Sequence, residues 1–191
     1  MISIHTPSPG WLKIRQAALV VDSGGIVAYP TEAVYGLGCD PGDHDAVRRI
    51  LSLKRRREAA GLILIAADAH QLDGWIEPDG AERKRMAGAN EGVTWVVTAG
   101  CAAPRWITGG RETVAVRVTR HPLAATLCRA AGMPLVSTSA NRRGHAPARD
   151  ALAARRMFGP DLDFVLAGPT GGRARPSEIR DARTGALLRA G

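Results

Sequence analysis

The stretch from residue 24 to residue 38 constrains the fold more than any other part of the chain. It reads GGIVAYPTEAVYGLG, a short apolar run between glycines and a proline. The run predicts a buried strand, and Pro30 ends it because proline has no N–H for the next ladder bond. Thr31 and Tyr35 then precede a loop at Gly36 and Gly38. Ligands bind at strand ends in open α/β folds, so this is either an ordinary turn or a ligand site.

Composition indicates a folded protein with a substantial core. The chain has 191 residues, of which 45% are hydrophobic, enough for one sizeable domain. It lacks an apolar run long enough for a membrane span and a signal-peptide pattern at its start, which predicts a cytoplasmic protein without membrane association. Cys39, Cys101 and Cys128 are far apart, and the five histidines lack metal-ligand spacing. We therefore expect free thiols and no metal ligands from the protein.

The charge indicates a polyanionic partner. The formal net charge is +8 and the isoelectric point about 10.4. A basic excess favours nucleotide phosphates or a nucleic acid backbone. A generally arginine-rich composition is the other explanation, since arginine outnumbers lysine here.

Helical and strand patterns alternate along the chain. Their order predicts a single α/β domain, residues 1–191, with a twisted, mostly mixed sheet flanked by helices. Expected helices are 11–21, 43–54, 68–75, 80–87, 122–131 and 150–157. Expected strands are 26–29, 61–66, 93–98, 113–119, 134–137 and 164–166, with a closing hairpin of 177–181 and 186–189. Residues 99–111, 139–149 and 168–176 are predicted loops.

A basic cluster, Lys54-Arg55-Arg56-Arg57, follows the second predicted helix. Four cations before a buried strand would lie at a sheet edge and could hold the oxygens of a triphosphate. The alternative is a solvated run that only complements the helix dipole.

Hydroxyl and amide groups follow the strand at 134–137 in the segment Ser137-Thr138-Ser139-Ala140-Asn141. Ser137 and Ser139 share one face of a strand. Such a row could bind an anion without adding charge, or it could consist of turn and cap residues. It lacks the Gly-x-Ser-x-Gly pattern of a nucleophile elbow.

Two further features suggest anion binding. Arg117 lies in an apolar strand, where it must reach water or an anion. A ligand carboxylate would serve, and so would Glu32 or another acidic residue of the protein. The segment from Gly171 onward places Ser177 near several arginines and also contains Arg189. Neither Gly-x-x-x-x-Gly-Lys-Ser/Thr nor Gly-x-Gly-x-x-Gly is present, so a nucleotide site would be of another type.

In combination these segments resemble the YrdC/TsaC family, the threonylcarbamoyl-AMP synthases of tRNA modification. The likeness spans nearly the whole chain and fits the short, single-domain TsaC type. The segments that carry it, in order, are AYPTEAVYGLG at 28–38, Lys54-x-Arg56, Ser137-Thr138-Ser139-Ala140-Asn141 and PSEIRD at 176–181.

The resemblance implies a YrdC-like fold with a basic concave surface and a defined reaction. L-Threonine, bicarbonate and ATP would give threonylcarbamoyl-AMP and pyrophosphate, and a TsaD-containing complex would use the product to modify tRNA next to the anticodon. Magnesium is expected on the phosphates of ATP, without a dedicated protein ligand. The implied catalytic residues are Lys54, Arg56, Ser139 and Asn141. The implied ATP-binding residues are Lys54, Arg56, Thr138, Ser139, Asn141 and Arg189. The implied threonine-binding residues are Thr31, Tyr35, Arg117, Ser137 and Ser177.

The chain departs from the family pattern at one turn. Asn90-Glu91-Gly92 stands where the family commonly has Pro-Gly-Pro. Losing two fixed φ angles loosens a turn. With the net charge, this departure motivates the alternative of a catalytically weakened RNA-binding module that contacts tRNA or double-stranded RNA.

Overall fold

The structure, a computed structural model, describes residues 9–88 and 92–191. Within these ranges nine strands form one sheet. They are β1 (Val27–Pro30), β2 (Tyr35–Gly38), β3 (Ile63–Ala66), β4 (Thr94–Thr98), β5 (Thr113–Val118), β6 (Leu135–Ser139), β7 (Phe164–Val165), β8 (Ile179–Asp181) and β9 (Leu187–Arg189). Their order is β7-β1-β2-β6-β3-β5-β4-β8-β9. The pairs β1–β7, β3–β5 and β4–β8 are parallel and the others antiparallel, which confirms the predicted mixed sheet.

Helices flank the sheet, as the alternating pattern predicted. They are α1 (Pro9–Asp22), α2 (His44–Lys54), α3 (Gly80–Ala87), α4 (Arg105–Thr108), α5 (Pro122–Ala131) and α6 (Ala151–Phe158). Among the helices of the described residues, none combines the length and apolar character that a bilayer crossing requires.

Successive residues of the central strands belong to two different cores. Tyr29 and Ile65 pack in the cluster that contains α1 and α5, whereas Ala28 and Leu64 pack in the cluster that contains α2. Side chains alternate between the faces of a strand, so these strands are buried on both faces. This explains the continuous apolar run at 61–66 and confirms the strand predicted there.

Helix α2 delivers Lys54 to the interior. The side chain of Asp43 caps the helix by accepting hydrogen bonds from the backbone N–H groups of Asp45 and Ala46, as predicted. The buried stripe includes Val47, Ile50 and Leu51 and continues to Lys54. Since Lys54 lies four residues after Ile50, helical geometry places it on the same face. Lys54 is therefore not part of a solvated run, which was one of the two alternatives that the sequence left open.

The prediction of a loop at Gly36 and Gly38 is wrong, because both residues lie in β2 and pair with β1. The ring of Tyr29 occupies the space that side chains would take on β2. A Cβ on Gly36 would lie 3.2 Å from Tyr29 Cζ, and one on Gly38 would lie 2.8 Å from Tyr29 Cε1 and 2.7 Å from the Val136 carbonyl oxygen. The glycines therefore allow close packing within the sheet rather than a turn.

Three other expectations need correction. The predicted loop at 99–111 contains α4, and the helix predicted at 68–75 is only a 3₁₀ turn, Ala69–Leu72. The strand predicted to end at Ser137 continues to Ser139, because β6 pairs with both β2 and β3.

Asn90 and Glu91, which carry the departure from the family pattern, lie outside the described residues.

We predict that Gly38→Ala destabilises the fold by about 1–3 kcal/mol, because the added methyl group meets backbone and a buried ring. Gly80→Ala is the matched control, since a Cβ there has no neighbour within 4 Å among the described residues. Urea unfolding of both variants measures the difference. Equal midpoints for the two would contradict the packing role of Gly38.

Candidate functional site

A row of paired residues lies where one sheet face is open. Ser137 pairs with Ile63, Ile63 with Ala115, and Ala115 with Val96. All four are half-buried, whereas Ile65, two residues further along β3, is buried in the cluster containing α1 and α5. The row lines a cavity of about 420 Å³ where β3 and β5 begin and β6 ends. This cavity is the candidate ligand site.

The ammonium of Lys54 lies among four oxygens beside the end of β6. It donates to the Ser139 backbone oxygen at 2.5 Å and to Ser139 Oγ at 3.3 Å. It also lies 2.8 Å from the Asn141 backbone oxygen and 2.7 Å from Asn141 Oδ1. Ser139 Oγ in turn donates to Asn141 Oδ1 at 2.6 Å. The structure thus brings Lys54, Ser139 and Asn141 together in one cluster, here called the lysine cluster.

The lysine cluster fixes the backbone that follows β6. The strand does not continue to Asn141, whose N–H donates to the Ser139 backbone oxygen across a tight turn. Burial, together with the nearby charge of Arg56, lowers the pKa of Lys54 to about 8. The ammonium has three N–H groups and four oxygens around it, so its hydrogen bonds are used within the protein. Its predicted contact with phosphate would require one of these bonds to be exchanged.

Three guanidinium groups line the cavity. Arg56 and Arg189 were expected there, and Arg111 was missed. Partial burial, followed by the charges of Arg111 and Arg189, lowers the pKa of Arg56. Ser137 and Thr138 add polar groups to the lining. The polar part of a largely apolar lining therefore consists of cations and neutral hydroxyls, which suits an anionic ligand.

Arg117 and Glu32 form a buried ion pair at the other end of β5. Arg117 Nη2 lies 2.9 Å from Glu32 Oε2, and only 11% and 10% of the two side chains are exposed. The sequence left open whether Glu32 or a ligand would pair with Arg117, and the structure shows Glu32. Arg117 Nε is nevertheless buried without an acceptor among the described residues, and Nη2 has the ion-pair contact with Glu32. A buried donor without an acceptor is costly, so a ligand carboxylate that accepts the Nε–H would be favoured.

Glu32 is held as a carboxylate by several groups at once. Its Oε1 accepts hydrogen bonds from Thr119 Oγ1 at 2.9 Å and from the Arg120 N–H at 3.0 Å. Burial opposes ionisation, but the charge of Arg117 and these hydrogen bonds outweigh it and lower the pKa of Glu32. Burial lowers the pKa of Arg117, and the Glu32 charge opposes that effect.

Residues 166–178, here called the strap, connect β7 to β8 and run beside Glu32, whose backbone carbonyl accepts the Arg173 N–H at 2.9 Å. Tyr35 Oη donates to the Gly168 carbonyl at 2.6 Å and accepts from the Gly168 N–H at 3.0 Å. Near the far end, Ser177 Oγ lies 2.8 Å from Thr94 Oγ1. The Tyr35 hydroxyl, expected near threonine, therefore anchors the strap. Ser177 joins the strap to β4.

Thr31 lies between the strap and the sheet. Its carbonyl accepts the Gly171 N–H at 3.0 Å, and its hydroxyl donates to the Val34 carbonyl at 2.7 Å. A Cβ on Gly36 would lie 3.4 Å from Thr31 Cγ2, and Gly36 is the register partner of Ser139. The lack of a side chain on Gly36 thus brings Thr31 beside the end of β6, near the lysine cluster.

Most of the expected site residues lie in one region of the structure, on or beside the open face of the sheet. One further cavity residue, Arg111, was not indicated by the sequence. Thr31, Arg117 and Ser177 surround the end near Glu32, and Ser137, Thr138, Arg56 and Arg189 line the cavity. Arg111 lacks a motif: it follows two glycines in a predicted loop, and only the fold brings it to Arg56.

We predict that Glu32→Gln removes a pH-dependent part of the stability. A lowered pKa means that the folded state binds this proton more weakly than the unfolded state. The wild-type carboxylate therefore stabilises the fold above its ordinary pKa of 4.5, and this contribution is lost as the pH falls through the lowered value. Urea unfolding of the wild-type and Glu32→Gln proteins at about pH 7 and about pH 3 measures this contribution to the free energy of unfolding.

The control for Glu32→Gln is Glu112→Gln, which neutralises an exposed carboxylate. The Glu32→Gln protein should lose less stability on acidification than the control. Parallel pH profiles for the two variants would contradict the assignment of this ion pair.

Comparison with known proteins shows relatives that match nearly the whole chain. A family model for Sua5/YciO/YrdC proteins, described as telomere recombination, matches residues 19–191. The threonylcarbamoyl-AMP synthase of Nitrosococcus oceani is 53% identical over 95% of this chain and 98% of its own length. That of Halorhodospira halophila is 52% identical over 93% of this chain and 94% of its own.

A solved structure agrees with the sequence comparisons. Sua5 of P. abyssi complexed with L-threonine is 32% identical, with a TM-score of 0.87 over 96% of this chain. This chain spans 55% of that longer chain. With a family model that covers most of the sequence and full-length relatives at about half identity, this chain belongs to the Sua5/YciO/YrdC family.

Proposed function

We propose that this chain is a threonylcarbamoyl-AMP synthase. It joins L-threonine, bicarbonate and ATP to give threonylcarbamoyl-AMP and pyrophosphate. One observation carries the proposal most directly. A buried arginine with an unsatisfied donor lies at one end of β5, and a cavity lined by guanidinium groups lies at the other. Relatives that carry this enzyme's name share about half of the sequence over nearly the full length.

The end of the site near Glu32 suits the amino acid. The carboxylate of threonine would accept the Nε–H of Arg117, which lacks an acceptor among the described residues. Thr31 and Ser177 supply hydroxyls around the same space, and Ser137 faces it from the cavity lining. Tyr35 acts by anchoring the strap. Glu32 holds the Arg117 guanidinium in place and so positions it for a second carboxylate.

The cavity suits the nucleotide. Arg56 and Arg189 would bind phosphate oxygens, and Thr138 lines the same space. The lysine cluster presents Ser139 and Asn141 at the turn that follows β6. Lys54 acts mainly by fixing the shape of that turn. Its ammonium can bind phosphate only if it gives up one of its hydrogen bonds to Ser139 or Asn141.

The chemistry needs no protein nucleophile. The amine of threonine combines with CO2 or bicarbonate to form a carbamate, whose oxygen attacks the α-phosphorus. The bond from that phosphorus to the bridging oxygen breaks, and pyrophosphate leaves with the electron pair. The protein holds three reactants together and offsets developing negative charge. Its cations and hydroxyls are sufficient for both tasks.

Magnesium would be held chiefly by the phosphates of ATP. The described residues contain no cluster of three or more His, Cys, Asp or Glu side chains arranged for a metal ion, and the described cavity lining has no carboxylate. We therefore assign no protein ligand to the ion.

The product implies partners and a location. We place the whole of residues 1–191 in one YrdC-like domain that acts in the cytoplasm. A TsaD-containing complex would transfer the threonylcarbamoyl group to tRNA. The net charge of +8 suits contact with that RNA. A module that only binds RNA is less favoured, because the relatives at about half identity carry the enzyme's name.

A pyrophosphate-release assay tests the proposed activity. Release from ATP should require both threonine and bicarbonate, because the carbamate must form before the α-phosphorus is attacked. Each is left out in turn, and serine replaces threonine in a third reaction. ATP binding without threonine-dependent release would contradict the proposal.

We also predict that Arg117→Lys raises KM for threonine about tenfold or more and changes KM for ATP little. Lysine keeps a positive charge beside Glu32 but cannot provide the paired donors of a guanidinium. Arg49→Lys is the control, since Arg49 pairs with Asp163 at 2.8 Å on another part of the surface. Equal increases for threonine and ATP would contradict the placement of the amino acid.

A further inference from the structure

Arg111 enters the cavity although no sequence motif includes it. Its Nη2 donates to the Ala59 carbonyl at 2.7 Å and its Nη1 to the Thr108 carbonyl at 3.2 Å. A Cβ on Gly61 would lie 2.9 Å from Arg111 Nη1, and Gly61 has a φ of +65°. The guanidinium is therefore laid over a glycine and tethered on one side by two backbone oxygens.

Arg111 forms a positively charged group with Arg56 and Arg189. Arg56 Nη2 donates to the carbonyls of Ala60 and Gly61, and Arg189 Nη2 donates to the Ser177 carbonyl. Within residues 9–88 and 92–191, none of the three arginines forms an ion pair with a carboxylate, and the cavity lining contains no acidic side chain. Each side chain is held by neutral oxygens and keeps other N–H groups for a ligand.

The position of Arg111 along the chain separates it from the amino acid end. Arg111 precedes β5 by two residues, and Arg117 lies near the end of that strand. Thr113 and Ala115, which lie between them, line the cavity. The strand rises about 13 Å from Thr113 to Arg117. Arg111 and Arg117 therefore lie toward opposite ends of β5, which suits a polyphosphate at one end and an amino acid at the other.

We propose that Arg111 binds the terminal phosphates of the nucleotide together with Arg56 and Arg189. These are the phosphates that leave as pyrophosphate, whereas the α-phosphate lies nearer to threonine. The inference rests on the proposed function and extends it to a residue outside the family motifs. As the bond to the α-phosphorus breaks, negative charge develops on the leaving oxygen, and the three guanidinium groups offset it.

The test compares Arg111→Ala with Arg105→Ala. Arg105 is an exposed arginine of α4 outside the cavity lining, so the control removes the same charge from the same region. Calorimetric titration with inorganic pyrophosphate, ATP and AMP gives the affinities. Loss of a charge-assisted contact should weaken pyrophosphate and ATP about tenfold or more and leave AMP within about twofold. KM for threonine should stay unchanged.

A second variant separates the charge from the structural contacts. Arg111→Gln removes the charge, but its amide can still donate to a backbone carbonyl. Urea unfolding should give the wild-type midpoint, and pyrophosphate binding should weaken as in Arg111→Ala. If Arg111→Ala does not fold, the comparison of Arg111→Gln with Arg105→Ala decides the matter.

Two results would overturn the role of Arg111. One is equal weakening by Arg105→Ala and either Arg111 variant, which would show only a general effect of charge. The other is weaker AMP binding with unchanged pyrophosphate binding, which would place Arg111 at the nucleoside. Wild-type protein that binds pyrophosphate through Arg111 but releases none in the presence of threonine would refute the proposed function alone.

Discussion

The site depends first on one buried ammonium. Lys54 continues the apolar stripe of α2, so the helix delivers a cation to the interior rather than to solvent. Four oxygens from Ser139 and Asn141 surround that cation. A buried charge is tolerated only with such partners. The backbone after β6 must therefore turn where it does, and the polar groups on that strand are held at the edge of the cavity.

Charge is arranged differently at the two ends of β5. At one end Arg117 and Glu32 nearly neutralise each other, and Thr119 and the Arg120 N–H complete the carboxylate's contacts. At the other end guanidinium groups meet without a carboxylate among the described residues. A zwitterionic amino acid suits the first environment and a polyphosphate the second. The sheet thus gives two reactants of different charge a fixed order along one strand.

Much of this arrangement could be predicted from sequence, because local rules decide it. The cap at Asp43, the buried strand at 61–66 and the closing hairpin follow from residue type and periodicity. The prediction failed where long-range packing decides the outcome. Gly36 and Gly38 suggest a loop, but the ring of Tyr29 fills the space above them in a sheet. For Lys54 the sequence left phosphate binding and a solvated run open, although helical spacing already put the residue on the buried face of α2. Arg111 had no local signal, because only tertiary contacts bring it near Arg56.

The strap has a consequence for the order in which the protein matures during synthesis. It begins beside β7 at one edge of the sheet and leads to β8 near the other, carrying Ser177 toward Arg189. The helices and the first seven strands precede it in the chain and can assemble as the ribosome releases them. The ligand space closes only after the last strands have emerged from the exit tunnel. A nascent chain is therefore expected to stay inactive until β8 and β9, whose residues line the cavity, have been released and have paired.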